Sequence, residues 1–315
     1  MGVRGKFALL ILVEIMAGAF GSGARLSAQS SEDTLADEIG SLVESGRLDP
    51  AISEGRQATQ QYPRSAVLQQ LLGAALFKKG MNEEARQAFR RAIELAPGDP
   101  KNHFNLALVE LAENQNAAAA QSLEAMLKLD PSNAQARVLL GRAYHNQNRT
   151  LPAIEQFQKA LALSPKLPLA HYHLGFAYQS QGNFAAALEE YGREMRGNPG
   201  FFEPYIRAGE IQLGRGNLVV AEELFRKAIE LRPAAVSAQY GMARVLLARK
   251  DLNAAASALE RVIELKTDHV EAHYALARTY QQLGKSNEAA REFKIVSELH
   301  AHGAQRSSGI AGSQK

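Results

Sequence analysis

Prolines 63, 97, 131, 165, 199 and 233 stand 34 residues apart, and Thr267 holds the next place in the series. A fixed period of this length marks a chain built from one repeated supersecondary unit, and it constrains the fold more than local propensity does. With Glu32 as the first position, 34-residue frames fall at 32–65, 66–99, 100–133, 134–167, 168–201, 202–235, 236–269 and 270–303, with no insertion. Position 20 is alanine in every frame: Ala51, Ala85, Ala119, Ala153, Ala187, Ala221, Ala255 and Ala289. Position 8 is small in Gly73, Ala107, Gly141, Gly175, Gly209, Ala243 and Ala277. Position 24 is large in Phe89, Leu123, Phe157, Tyr191, Phe225, Leu259 and Phe293, and only Gly55 breaks that column. Small residues let two helix backbones approach, and a bulky residue fills the space beside them.

Position 15 reads Gly46, Gly80, Asn114, Asn148, Gly182, Gly216, Lys250 and Gly284. Glycine and asparagine accept the left-handed conformation that closes a helix, which predicts one helix ending near position 14 and a second beginning after the turn. The remaining prolines agree. Pro100 and Pro168 fall at position 1, Pro204 at position 3, and Pro50 and Pro152 at position 19, all first-turn places where a missing N–H does no harm. Each frame is therefore a helix–turn–helix hairpin too small to bury its own apolar faces, and stacking the hairpins supplies the core. The 315 residues would ordinarily suggest about two domains, but a solenoid grows by adding units.

Leu174-Gly175, Tyr178, Ala187, Tyr191 and Pro199 resemble the tetratricopeptide repeat, as do Leu72-Gly73, Gly80, Ala85, Phe89, Ala92 and Pro97. The resemblance spans residues 32–303 and implies an all-α, right-handed solenoid of eight repeats. Three departures stand out. The tryptophan the family favours at position 4 is replaced, for example by His103, Arg137, His171, Tyr205 and His273. The first frame, with Ile39 and Gly55, is degenerate. The last loses its proline to Ala301, and a Gly/Ser-rich disordered tail is expected over 304–315.

The resemblance further implies a concave surface lined by the first helix of each repeat, with groove positions 2, 5, 9 and 12. That spacing puts them on one helical stripe. Position 5 supplies Phe104, Val138, Tyr172, Ile206, Tyr240 and Tyr274, and position 9 adds Arg142, Phe176, Arg244 and Arg278. One turn separates the two positions, so Tyr240 is expected to face Arg244 and Tyr274 to face Arg278. Aromatic rings beside guanidinium groups suit a protein or peptide segment with apolar anchors and some acidic character. Two better-defined activities within the family find no support. No frame carries the position-5 lysine of the chaperone carboxylate clamp, and the position-6 column (Asp37, Leu71, Asn105, Leu139, His173, Arg207, Gly241, Ala275) is not the asparagine ladder of sugar-transferase members.

Arg4 and Lys6 precede an apolar run from Phe7 to Phe20, and a small-residue stretch leads to Ala24 and Ala28. This predicts a signal peptide over 1–28, a short linker at 29–31, and a chain that is exported, periplasmic or secreted if bacterial. The alternative is retention of 7–20 as an inner-membrane anchor, against which stand the run's fourteen residues and Glu14. Of the net charge of +3, residues 1–28 carry +2, so the repeats are nearly neutral and offer no electrostatic footprint for nucleic acid. The absence of cysteine excludes disulfides and thiolate chemistry. Gly284-Lys285-Ser286 lacks the earlier glycine of a phosphate loop, having Thr279 in its place, and His269 and His273 lack the glutamate placement of helical zinc sites. The reading is a non-enzymatic scaffold without cofactor or metal, with self-association through the last repeat as a further possibility, since Ile295 and Val296 have no evident cover.

Overall fold

The computed structural model describes residues 31–312, with side chains described through residue 301. The expected signal or anchor segment at 1–28 lies outside the described residues. All the described elements are helices, and they divide into two compact units, residues up to 177 and from 178 onward. The first holds α1 (Ser31–Glu44), α2 (Leu48–Gln61), α3 (Ala66–Lys79), α4 (Asn82–Leu95), α5 (Pro100–Ala112), α6 (Asn116–Leu129), α7 (Ala134–Asn146) and α8 (Thr150–Leu163). The boundary falls inside α9 (Ala170–Ser180). The second unit continues with α10 (Phe184–Gly197), α11 (Glu203–Gly214), α12 (Leu218–Leu231), α13 (Val236–Ala248), α14 (Leu252–Leu265), α15 (Val270–Gln282) and α16 (Ser286–Gly312). From α1 to α8, and again from α10 to α16, each helix packs on its successor, and α1 also meets α3, α3 meets α5 and α11 meets α13. This is the all-α solenoid of tandem hairpins that the period predicts.

The hairpin seam is built from three columns. Every position-20 alanine is buried, from Ala51 to Ala289. At position 24, Phe89, Leu123, Phe157, Tyr191, Phe225 and Leu259 are among the largest fully buried side chains. Position 8 faces them across the hairpin. A Cβ added at Gly73 would come within 2.8 Å of the Phe89 ring, one at Gly141 within 2.6 Å of Phe157, and one at Gly209 within 2.9 Å of Phe225. Phe225 is closed in from its other side by Gly241, where a Cβ would lie 2.3 Å away. The columns compensate each other: glycine at position 8 accompanies an aromatic ring at position 24, whereas Ala107 and Ala243 accompany Leu123 and Leu259. Ala277 with Phe293 departs from this, and Phe293 is only half-buried.

Each hairpin turn takes its bend at one residue. Position 15 is left-handed in all frames, from Gly46 at φ 74° and Asn114 at 59° to Lys250 at 63° and Gly284 at 74°. Lys250 has a Cβ and no short polar side chain, so the frame imposes the conformation there against the residue's preference. The second helix stops two residues short of the proline in the six frames that carry one, and side chains such as Ser65, Asn133 and Asp251 cap the helices that follow them by accepting the N–H of Leu68, Ala136 and Ala254.

Two details differ from the sequence expectation. α9 begins two residues after Pro168, because Leu169 is left-handed at φ 64° and interrupts the helical path. The tail expected to be disordered from 304 is instead helical to Gly312: Ala301 stands where the other frames carry proline, so nothing stops α16. No helix among the described residues is long and apolar enough to cross a membrane.

Two measurements test the seam. Gly141→Ala should destabilise by about 1–2 kcal/mol through overpacking on Phe157. In chemical denaturation, Gly141→Ala/Phe157→Leu should be at least ~1 kcal/mol more stable than the single changes sum to, because the pair then matches Ala107 with Leu123. Additive effects would mean that ring and backbone do not share this space. Separately, Lys250→Gly should stabilise by about 1 kcal/mol by relieving the left-handed residue.

Candidate functional site

The predicted stripe lies on the first helix of each hairpin, and burial divides it. Phe104 on α5 and Val138 on α7 are 7% and 3% exposed, and Ile206 on α11 is 5% exposed. These three are core residues and not groove anchors. Position 5 lies three residues before the seam position 8, on the same side of the helix, so an apolar side chain there turns into the packing. In the second unit Ile206 joins the cluster around Phe225 and Ala228.

In the first unit Arg142, Tyr172 and Phe176 remain half-buried, and the structure adds two residues that the sequence reading passed over. His145 lies one turn after Arg142 on α7, and its ring meets Phe176 of α9 with centroids 5.0 Å apart. Phe176 lies parallel to Tyr172 at 6.5 Å, Tyr172 meets His173 edge-on at 5.4 Å, and His173 stacks on Phe157 of α8 at 5.8 Å. Burial holds the His173 imidazole well below its ordinary pKa, and Arg142 and His145 push the same way. Burial likewise lowers His145 and draws Arg142 down from its usual value. The site thus combines one guanidinium, two imidazoles whose protonation burial opposes, and two aromatic walls. A signal was available in the Arg142–His145 spacing of three, which places both on one helical face.

In the second unit Tyr240 on α13 packs against His269, centroids 4.9 Å apart. Burial raises its phenol above the ordinary value, and Arg244 opposes the shift. Tyr274 on α15 is 52% exposed and leans edge-on against Phe293 at 6.0 Å. Arg244 and Arg278 are exposed, and neither makes a hydrogen bond or ion pair among the described residues. Glu203, a groove-position carboxylate by sequence, is half-buried with one oxygen lacking a hydrogen bond. Burial raises its pKa, and Arg232 and Arg207 oppose this.

The paired histidines of the last frame have structural duties. His269 caps α15 by accepting the N–H of Ala272 at Nδ1, 3.2 Å. His273 is buried, its Nδ1 2.5 Å from Glu292 of α16 and its Nε2 3.0 Å from the Thr267 carbonyl oxygen. Among the described residues no group of three or more histidines or carboxylates is placed to hold a metal.

Two sequence models of the tetratricopeptide repeat match this chain, one over residues 104–168, 153–201 and 206–270, the other over 42–106 and 246–305. The chain is a tetratricopeptide repeat protein. Its structure is similar to that of MamA, at 28% identity and TM-score 0.50, covering 51% of this chain and 95% of MamA. The Cut9–Hcn1 hetero-tetramer of APC/C shares the fold at 16% identity and TM-score 0.58, over 85% of this chain and 53% of that one. So does YrrB, described as a TPR protein with an unusual peptide-binding site, at 20% identity and TM-score 0.50, over 58% of this chain and 95% of YrrB. No curated protein sequence matches the chain significantly.

The suppressed imidazole has a consequence for stability. Its folded-state pKa lies below the unfolded value of about 6.5, so the unfolded chain binds more protons, and stability is fully present above that pH and declines as pH falls through it. Thermal melts should drop between about pH 7.5 and 5.5, and His173→Phe should flatten the dependence. A variant melting curve that tracks wild type at every pH would show that His173 does not carry the effect.

Proposed function

We propose that this chain is a non-enzymatic adaptor of eight tetratricopeptide repeats, exported to the cell envelope, that holds a segment of a protein partner on its first-helix face. The observation that carries the reading is the open stripe of the second unit. Tyr274 is 52% exposed on α15, and Arg244 and Arg278 stand at the same frame position of successive first helices with no hydrogen bond or ion pair among the described residues. Half-exposed aromatic and arginine side chains are the residue types that carry most of the energy of protein interfaces. A surface held by packed helices binds without first having to be ordered. YrrB shares the fold and has a peptide-binding site, which fits the same use of the scaffold. The first frame, with Ile39 buried and Ala51 in its column, and the last, with Ala289, complete the count of eight in this reading. Export rests on the basic and apolar start of the sequence, Arg4 to Ala28.

The test changes only exposed residues. Arg244→Glu/Tyr274→Glu/Arg278→Glu should leave the circular dichroism spectrum and melting temperature at wild-type values, while partners captured by wild type from envelope extract and identified by mass spectrometry disappear. An identical set of captured proteins would move the binding surface elsewhere on the chain. Sequencing the mature N-terminus tests export: a start after Ala24 or Ala28 supports it, and an intact residue 1 in the membrane fraction would replace it with the tethered scaffold.

A further inference from the structure

Arg142 is a half-buried cation with nothing paired to it. Among the described residues it makes no hydrogen bond and no ion pair, and only burial acts on it. Other sheltered arginines of the first unit are engaged. Arg86 is clamped by Glu83 at 2.7 Å and by Glu113, and Arg137 reaches Gln156 at 3.3 Å and the Pro131 carbonyl oxygen at 2.6 Å. The carboxylates on the helices packed against α7 are committed elsewhere: Glu124 of α6 accepts from Tyr144, and Glu155 of α8 pairs with Lys159. A half-buried guanidinium left without its counter-charge is unfavourable, and its five N–H donors point to an acceptor supplied from outside.

We infer that Arg142, with His145 and His173 beside it and the rings of Tyr172 and Phe176 as walls, is a binding site for a carboxylate carried by a peptide segment next to an apolar side chain. The inference rests on the first-helix face being the face that binds. A carboxylate matches the fork of one guanidinium in a planar, two-bond pairing. A single carboxylate also cancels the charge of the one guanidinium. The aromatic walls accept the apolar neighbour, as His145 already sits against Phe176 at 5.0 Å. Seating an anion favours the imidazolium forms of His145 and His173, so binding takes up protons and tightens as pH falls.

The test titrates the full chain with three peptides: Ac-Phe-Glu-Phe-NH2, its Gln analogue, and the Gln analogue with a free C-terminal carboxylate. Calorimetry should find the Glu peptide at least tenfold tighter than the amidated Gln peptide, and at least threefold tighter at pH 6 than at pH 8. Arg142→Met should abolish the Glu preference while melting at or above the wild-type temperature, because it removes an unpaired cation and keeps an apolar stem. Binding of the free-carboxylate Gln peptide as tight as that of the Glu peptide would support the site and assign the carboxylate to a chain end. Equal affinities for all three peptides, or a Glu preference that survives in Arg142→Met, would overturn the site and leave the first-helix face as the binding surface. Failure of every peptide to bind would also overturn it, and partner capture by the second-unit stripe would then judge the wider reading on its own.

Discussion

The contact on which the rest of this protein depends is a side chain of one helix lying on the nearly bare backbone of its hairpin partner. Where that side chain is an aromatic ring, as at Phe89, Phe157 and Phe225, the facing residue is glycine, because a single Cβ would intrude by several tenths of an ångström. Where it is leucine, alanine fits. Six of the frames carry one of these two combinations, and the first and last, with Ile39 and Gly55 and with Ala277 and Phe293, do not. Burying a ring of that size removes a large apolar area from water, which a short hairpin cannot do with its own surface alone. The left-handed residue at position 15 brings the two columns opposite each other, and the alanine at position 20 lets the second helix lie close.

Function is written on what the seam leaves over. The first helix of a hairpin uses part of its circumference for the seam and part for adjacent hairpins, and a narrow stripe remains. In the second unit that stripe shows Tyr274, Arg244 and Arg278 to solvent. In the first unit the comparable stripe is partly closed by rings, and what it encloses is a guanidinium among imidazoles. The two units share one frame and still offer different chemistry, because positions 5, 6, 9 and 12 carry no seam duty as strict as that of positions 8, 20 and 24.

Most of the fold was legible in the sequence because each structural demand is repeated down a column. A single left-handed lysine could not have been predicted at Lys250 alone, but seven glycines and asparagines at the same position made it expected. What was not legible has local causes. Leu169 and its left-handed turn occur once and have no column to reveal them. The helical continuation past 303 follows from Ala301 standing in place of a proline, a local feature that outweighs the Gly/Ser-rich composition from which disorder is expected. Phe104, Val138 and Ile206 were placed in the groove because a three-and-four spacing describes the seam and the stripe equally well, and burial alone separates them. His145 and His173 escaped because columns compare one position across frames, whereas this cluster draws positions 9 and 12 of one frame together with 5, 6 and 9 of the next.

The two seam combinations also bear on how such a chain can change in length. A hairpin keeps its seam filled whether it carries glycine with a ring or alanine with leucine. Whole 34-residue segments can then be duplicated, lost or exchanged without re-fitting their neighbours, provided both members of a combination travel together. They always do, since positions 8 and 24 lie within one frame. The residues of the proposed binding stripe ride on the same segments, so a single recombination event would transplant a complete seam and that stripe at once.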